Sequence, residues 1–224
     1  MCAQNGVENE RVALRRFANV YGVCVMCPTA FLVPGVVQAT SHPVTGILDL
    51  GRYPAGVDDV AEELAAALRS STFSSEAVPD VHRWKYSKLL MNLANAAQAA
   101  LEPAAVGPVA GEAIREGVAC LRAAGIDFAT KEEDLARRGE LITEKPIHGE
   151  RRGGGSSWQS LARAAGTIET DYLNGEIVTL GRLHGVATPV NHALQTVANQ
   201  MALDRVPPQT MTEEGFGRVV EALR

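Results

Sequence analysis

The sequence predicts two parts, a mixed α/β segment over residues 1–79 and an all-α domain over residues 80–224. Residues 22–52 are rich in Val, Thr and Gly and are interrupted by prolines, a pattern typical of strands joined by turns. Nearly every segment after Pro79 has helical periodicity instead. The change of composition near Pro79 is therefore the predicted domain boundary.

The first part is expected to begin with a short helix over residues 8–20, before the strands. A second helix is predicted over residues 57–71, with acidic residues in its first turn and a basic residue near its end, as the helix dipole favours. A short extended segment, TFSSEAV, follows. The helices of the second part are predicted at residues 81–101, 109–125, 131–138, 156–165, 168–185 and 190–202, with a last one in EEGFGRVVEALR.

The composition is that of a globular protein, with 224 residues, 46% hydrophobic and 21% charged. A net charge of −5 and the lack of a basic stripe with interleaved aromatics argue against a nucleic-acid partner. No apolar run is long enough for a membrane span, and the N-terminus lacks the features of a signal peptide. With few, irregularly placed cysteines, we expect a reduced, cytoplasmic protein.

Cys24 and Cys27 form a C-x-x-C pair, which could be a redox pair or half of a zinc site. The alternative is that both are small apolar residues of a strand, in which positions three apart point to opposite faces. No second pair and no closely spaced histidines complete a metal site. We therefore expect structural cysteines and no metal.

The helix predicted over residues 81–101 carries a lysine at an unusual place. From Leu89 onward apolar residues surround the helix, which indicates burial. Lys88 and Asn92 nevertheless share one face, with Trp84 one turn earlier. Lys88 either extends to solvent or lies in a cleft beside Asn92. Desolvation in a cleft would lower the pKa of Lys88 and suit it to act as a general acid.

The segment RRGGGSSW, residues 151–158, contains the parts of an anion-binding loop. Glycines allow a ligand to approach the backbone, and Ser156 or Ser157 then opens a helix whose N–H groups favour an anion. No G-K-[ST] follows, so the segment is not a Walker A loop. The alternative is a flexible hinge with a serine cap.

The segment GTIETDYLNG, residues 166–175, places two acids at a predicted helix start. Thr167 is a plausible N-cap, and Glu169 and Asp171 then fall in the first turn. Acids there stabilise a helix by about a few tenths of a kcal/mol through the dipole. A structural role and a substrate-binding role are therefore both open.

Three motifs, taken in order, resemble the ketopantoate reductase (2-dehydropantoate 2-reductase) family over essentially the whole chain. AQNG, residues 3–6, is similar to the N-G turn of that family's nucleotide-binding domain. WKYSKLLMN, residues 84–92, is similar to its helix with a lysine and, four residues later, an asparagine. Residues 156–191 are similar to its longest signature, a serine, then E-x-D-x-x-N-G, then H-G-x-x-x-P-x-N.

The resemblance implies the later part of a Rossmann domain at residues 1–79. It implies a helical substrate-binding and dimerisation domain, like that of 6-phosphogluconate dehydrogenase, at residues 80–224. The implied activity is the NADPH-dependent reduction of ketopantoate, or a related 2-oxo acid, to the 2-hydroxy acid in pantothenate biosynthesis.

The resemblance also implies a role for each site residue. Lys88 would donate the proton to the ketone oxygen, and Glu169 would hold the substrate hydroxyl. Asn5, Asn92 and Ser157 would bind the substrate or orient the lysine. Asn5 and Glu169 would also contact the cofactor. Asp171 would then be structural.

The largest departure from the family is at the front, where no strand with G-x-G-x-x-G is found. We expect that about a hundred residues of the nucleotide-binding domain are missing. Three explanations compete: the chain is a fragment, it is a natural remnant that binds without catalysing, or it receives its nucleotide-binding half from another polypeptide. A partial parallel sheet would expose an apolar edge. A homodimer or such a partner is therefore expected.

Smaller departures affect the substrate more than the chemistry. Ala96 stands where the family has a second asparagine, with Asn95 one place early, and Trp158 and Leu161 replace a methionine and an aspartate of the family. The alternative function is a non-catalytic binding or dimerisation module of this family. A third hypothesis, an unrelated helical phosphate-binding protein, would require Arg151 and Arg152.

Overall fold

The computed structural model describes all residues, 1–224, and the chain divides into two compact units. The first comprises Met1–Leu89 and Asp127–Arg152, and the second comprises Leu90–Ile126 and Gly153–Arg224. The predicted fold class, an α/β segment followed by a helical domain, is confirmed. The compact units do not follow a single cut at residue 79, because residues 127–152 pack with the first unit. None of the helices combines the length and apolar character needed to cross a lipid bilayer.

The elements have the following bounds. The strands are β1 (Tyr21–Met26), β2 (Thr29–Val33), β3 (Val36–Ala39), β4 (Ser41–Pro43), β5 (Ile47–Arg52) and β6 (Ile142–Glu144). The helices are α1 (Asn9–Leu14), α2 (Asp59–Ser70), α3 (Val81–Asn92), α4 (Ala94–Ala100), α5 (Pro103–Ala123), α6 (Lys131–Arg138), α7 (Ser156–Ala162), α8 (Asn174–His184), α9 (Pro189–Leu203) and α10 (Glu213–Ala222). A 3₁₀ turn spans Glu169–Tyr172.

The first unit is built on β1 and β5, which pair antiparallel in the register Tyr21↔Arg52 to Met26↔Ile47. Parallel pairing occurs only at isolated bridges, such as Cys2↔Gly22 and Leu50↔Ala77. The named strands therefore do not form the parallel sheet that we expected.

Helix α2 packs on one face of this sheet, where Tyr21, Leu50 and Ala65 are buried. Asp58 caps the helix by accepting the Ala61 N–H at 3.0 Å, as the acidic start of the segment predicts. This hydrophobic cluster fixes α2 against β1 and β5.

Exposed apolar side chains cluster on the hairpin of β2 and β3, at Phe31, Leu32, Val33, Val36 and Val37. Only these two strands pair with each other in their sheet. The apolar surface that we expected at a sheet edge is therefore displayed on a hairpin.

Helix α4 packs against α5, α7 and α9 in the second unit, and α8 packs against α5 and α9. The single helix predicted over residues 81–101 is wrong, because α3 ends at Asn92 and α4 begins at Ala94. The side chain of Asn174 donates to the carbonyl of Leu93, the residue between the two helices, at 3.2 Å.

Other boundaries also differ from the prediction; α5 begins at Pro103 instead of residue 109, for example. The segment predicted as one helix over residues 168–185 begins with the 3₁₀ turn, and α8 starts only at Asn174. Thr167 is not its N-cap, because Ile168 holds that position without a side-chain bond. The first helix ends at Leu14, where the chain tightens through bonds such as Arg15 N to Val12 O.

Candidate functional site

Lys88 lies on α3 within the first unit, in a cluster that includes Cys24, Asp134 and Arg138. Burial is the largest influence on its ammonium and lowers the pKa of Lys88 from the ordinary 10.5. Cys24, Asp134 and Arg138 also line a small cavity together with Trp84. Lys88 is half-buried and lies among residues that line this cavity, without lining it itself, so this placement favours a cleft over full extension into solvent.

The carboxylates of this cluster are engaged by arginines. Arg137 binds Asp49 through two bonds, of 2.8 and 2.6 Å, and Arg138 binds Asp134. Burial raises the pKa of the Cys24 thiol to about 12, so this group stays neutral. Desolvation therefore remains the main effect on Lys88, as a proton donor requires.

The two cysteines of the C-x-x-C motif lie in different surroundings. Cys24 and Cys27 are free thiols. Cys24 is buried in β1, and Cys27 lies just beyond the strand and donates to the Thr45 carbonyl at 3.6 Å. The structural interpretation of the pair fits these positions.

Asn5 lies in a turn of the first unit and is half-buried. Gly6 follows it with φ +75°, which a side chain would strain. Cys2 anchors the turn by pairing with β1, its N–H donating to Tyr21 O at 2.7 Å. The N-G motif therefore forms the tight turn that its sequence indicates.

Ser157 lies in the first turn of α7 and is almost fully buried. Its hydroxyl oxygen has no hydrogen-bond partner within the protein. Most buried polar atoms have one, so this hydroxyl is a candidate to bond a ligand. Helix α7 opens at Ser156, as expected, but its N-cap is Gly155, so the serine cap of the alternative interpretation is not formed.

The glycines of RRGGGSSW are explained by packing. A Cβ at Gly153 or Gly154 would lie 2.7 or 2.6 Å from the side chain of Trp158. Gly155 donates its N–H to the side-chain oxygen of Gln98 at 2.8 Å. The indole of Trp158 thus fills the room beside the backbone that an anion-binding loop would need, so the phosphate-binding hypothesis loses its main support.

Asn92 ends α3, and its side chain accepts a long bond of 3.5 Å from Asn95. A Cβ at Gly155 would lie 3.2 Å from the Asn95 side-chain oxygen, so the start of α7 adjoins this pair. Ala96 is buried in the helical core, whereas Asn95 points to Asn92. Asn95 stands one position before the family's second asparagine, but it still places a side-chain amide at the end of α3.

Glu169 and Asp171 differ in their surroundings. Asp171 accepts hydrogen bonds from Gln195 and Asn199 of α9, at 2.8 and 2.7 Å, which is a structural contact. Glu169 is exposed at the start of the 3₁₀ turn. Because this turn ends before α8, Glu169 is not in the first turn of that helix, and the dipole explanation is weakened.

A buried network that the sequence reasoning missed joins α5, α8 and α9. Glu116 accepts the N–H groups of Val190 and Asn191, each at 2.9 Å, and so caps α9 from another helix. Asn191 in turn accepts from Asn174 at 2.9 Å. Both asparagines belong to the signature motifs, and Glu116 interrupts an apolar helix face. Those signals could have identified the network.

The predicted site residues fall into two groups. Asn5 and Lys88 belong to the first unit, and Asn92, Ser157 and Glu169 belong to the second. Helix α3 carries both Lys88 and Asn92, four residues apart on one face.

Residues 80–202 match the protein-family model described as "Ketopantoate reductase PanE/ApbA C terminal". A 2-dehydropantoate 2-reductase of Pyrococcus horikoshii is 25% identical over 200 residues, which cover 85% of this chain and 63% of that protein. A 2-dehydropantoate 2-reductase of Caulobacter vibrioides is 34% identical over 157 residues, which cover 66% of this chain and 51% of that protein. The chain thus spans about half to two thirds of the length of these curated relatives.

Two solved structures share the fold of this chain. A PanE/ApbA family ketopantoate reductase from Ralstonia eutropha JMP134 superposes with a TM-score of 0.68 at 25% identity, covering 90% of this chain and 66% of that one. D-mandelate dehydrogenase, solved with NADH and anilino(oxo)acetate, gives a TM-score of 0.70 at 20% identity, covering 92% and 67%. At that identity the second likeness concerns the fold alone.

Proposed function

Because this chain belongs to the ketopantoate reductase family, we propose that it takes part in the NADPH-dependent reduction of 2-dehydropantoate, or a related 2-oxo acid, to the 2-hydroxy acid. The observation that carries the proposal is Lys88, whose pKa is lowered by burial on the helix that matches the family model. A buried ammonium of this kind can give its proton to a ketone oxygen as that oxygen becomes an alkoxide.

The other residues would bind and orient the substrate. The unpartnered hydroxyl of Ser157 can bond the carboxylate or the carbonyl oxygen. Asn92, four residues beyond Lys88 on α3, would orient the substrate or the ammonium, and Glu169 would accept a hydrogen bond from the substrate hydroxyl. These roles suit a polar 2-oxo acid that also carries a hydroxyl group.

The nicotinamide cofactor, when bound, supplies the hydride. Of the residues present, Asn5 on its glycine turn fits a contact with the cofactor, since Gly6 leaves the backbone open to close approach. Glu169 is the second candidate for such a contact. The 224 residues contain no G-x-G-x-x-G loop for the pyrophosphate. We propose that a further segment or a separate chain supplies it, and that the active form is a dimer or such a complex.

A non-catalytic module is the second candidate. The observation that favours it is the lack of a G-x-G-x-x-G loop among these 224 residues. Such a module would bind a 2-oxo acid without turning it over.

The decisive experiment is a paired assay of the 224-residue chain. NADPH oxidation with ketopantoate is followed by absorbance, and NADPH and ketopantoate are each titrated calorimetrically. The same measurements are repeated after an upstream glycine-loop segment of a relative is fused or added. Turnover in either form that disappears in Lys88→Met supports the reductase. Ketopantoate binding without turnover in both forms supports the module, and no binding of ketopantoate in either form contradicts both.

A further inference from the structure

A buried ion pair of the first unit has no part in the roles proposed above. The Lys85 ammonium on α3 contacts the Glu10 carboxylate of α1, and the two side chains are 2% and 0% exposed. Buried charges are costly to desolvate and are strongly destabilising when one partner is removed. This pair therefore constrains α1, which carries Glu10, against α3, which carries Lys85.

Lys85 holds the N-G turn from both sides. Its ammonium lies 3.4 Å from the carbonyl of Gln4, the residue just before Asn5, while Glu10 lies in the first turn of the helix after the turn. Gly22 of β1 leaves room for this arrangement, since a Cβ there would lie 3.1 Å from Glu10 Oε1. One ammonium thus bridges the chain before and after the Asn5–Gly6 turn.

The same pair bears on Lys88 through helix geometry. Lys85 precedes Lys88 by three residues on α3, and residues with this spacing lie on adjacent positions of a helix surface. A contact that fixes Lys85 against the turn therefore also fixes the rotation of α3 about its axis, and with it the direction of Lys88.

We propose that Lys85, paired with Glu10, is a positioning residue that clamps the Asn5 turn to the helix of the proton donor. The clamp holds Asn5 and Lys88 as parts of one rigid body. This inference rests on the proposed function for the roles of Asn5 and Lys88, whereas the clamp itself can be measured without turnover.

His82 does not compete for this pair. Its Nε2 lies 3.8 Å from the second oxygen of Glu10, and burial lowers the pKa of His82 from 6.5. His82 is therefore mostly neutral at neutral pH, and its ring stacks near Tyr53 with centroids 4.8 Å apart. Lys85 supplies the positive charge that balances Glu10.

The test uses a double variant, Glu10→Leu with Lys85→Met. Replacing both partners avoids the uncompensated buried charge that a single change would leave, which could unfold the protein. Lys85→Arg keeps the charge and serves as the conservative variant. Arg83→Met is the matched control, because Arg83 lies on the same helix and forms ion pairs with Asp127 and Glu133, both at 2.7 Å.

Hydrogen–deuterium exchange of the segment spanning residues 3–9 is the first readout. We expect exchange about tenfold faster in the double variant with an unchanged melting temperature, and wild-type protection in Arg83→Met and Lys85→Arg. Unchanged protection in the folded double variant would overturn the clamp. So would an equal loss of protection in Arg83→Met.

The second readout is kinetic and uses the cofactor-competent form. We expect kcat to fall about tenfold or more with a smaller change in KM in the double variant, since small misplacements of reacting groups are costly. Lys85→Arg should recover most of kcat. If exchange speeds up but kcat does not change, the positioning role is refuted. If the wild type has no turnover, the proposed function fails and the exchange result alone decides the clamp.

Discussion

Lys88 is held in a cluster in which its neighbours are already engaged, so its proton affinity is governed mainly by burial. In Lys88→Met we expect turnover to be abolished while the melting temperature stays near that of the wild type. In the wild type the rate should fall as pH rises through a pKa below 10.5, because the protonated amine is the donor. A pH–rate profile that is flat up to that value, or activity retained in the variant, would contradict the assignment.

Glu169 and Asp171 form a natural matched pair. Glu169→Ala should raise KM and lower kcat by about tenfold or more, with little change in stability, because the exposed side chain acts on the ligand. Asp171→Ala should lower the free energy of unfolding by about 1–3 kcal/mol through the loss of its bonds to Gln195 and Asn199. Denaturant unfolding and steady-state kinetics on both variants check this. The reverse pattern would make Glu169 the structural acid.

Removing the hydroxyl of Ser157 should not lower the free energy of unfolding, in contrast to most substitutions. Its buried hydroxyl has no partner within the protein. Ser157→Ala should therefore keep or slightly raise the free energy of unfolding, by up to about 1 kcal/mol, while weakening binding of the 2-oxo acid. Calorimetric titration and chemical unfolding give both numbers. A destabilised variant that binds normally would assign the hydroxyl to the fold.

At the scale of elements, a side chain distant in sequence bonds the break between α3 and α4. Asn174 donates to both the Leu93 carbonyl and Asn191. Asn174→Ala leaves the buried Asn191 side-chain oxygen without this donor, removes one of the bonds to the Leu93 carbonyl, and should cost about 1–3 kcal/mol. Asn199→Ala, which loses one partly exposed bond to Asp171, is the control and should cost less than half as much. Equal losses in urea titrations would show that the network does not support the break.

Several elements were predictable because their signals are local. Helix α6 begins and ends where its acidic start and basic end indicate, with the capping box between Thr130 and Glu133 in place. By contrast, the sequence at the break between α3 and α4 contains no glycine or proline that would predict it. The side chain that bonds the Leu93 carbonyl at the break, Asn174, lies 81 residues further along the chain.

At the scale of the whole molecule, acid stability is set in part by Glu133. Its hydrogen bond to Arg83 is the largest influence and lowers the pKa of Glu133 from 4.5 to about 2. A lowered pKa in the folded state stabilises the protein above pH 4.5, and this contribution is lost as pH falls toward about 2.

Glu133→Gln tests this linkage, since glutamine can keep the capping contact with Thr130 while losing the charge. The variant should melt below the wild type at neutral pH, and the gap should close between pH 4.5 and about 2. Melting temperatures across this range provide the measurement. Glu132→Gln, on the same exposed turn, is the control and should show no such convergence.

The candidate site was only partly accessible from the sequence. Lys88 and Asn92 could be paired by helical spacing alone, and the choice of Glu169 over Asp171 came from the family resemblance. The packing role of the glycines beside Ser157 was not predicted, because only the folded chain brings the Trp158 ring back onto Gly153 and Gly154. The clamp of Lys85 and Glu10 had no local signal, since its partners lie 75 residues apart.

The sequence by itself determined the fold class, the order of the helices, the N-G turn and the family. All of these depend on periodicity, on glycine conformation or on motifs within short segments. The tertiary structure decided where α3 stops, which side chains Asp171 bonds, which buried polar groups have partners, and that burial governs Lys88. These depend on the local dielectric and on hydrogen bonds between distant segments, which exist only once the chain has packed.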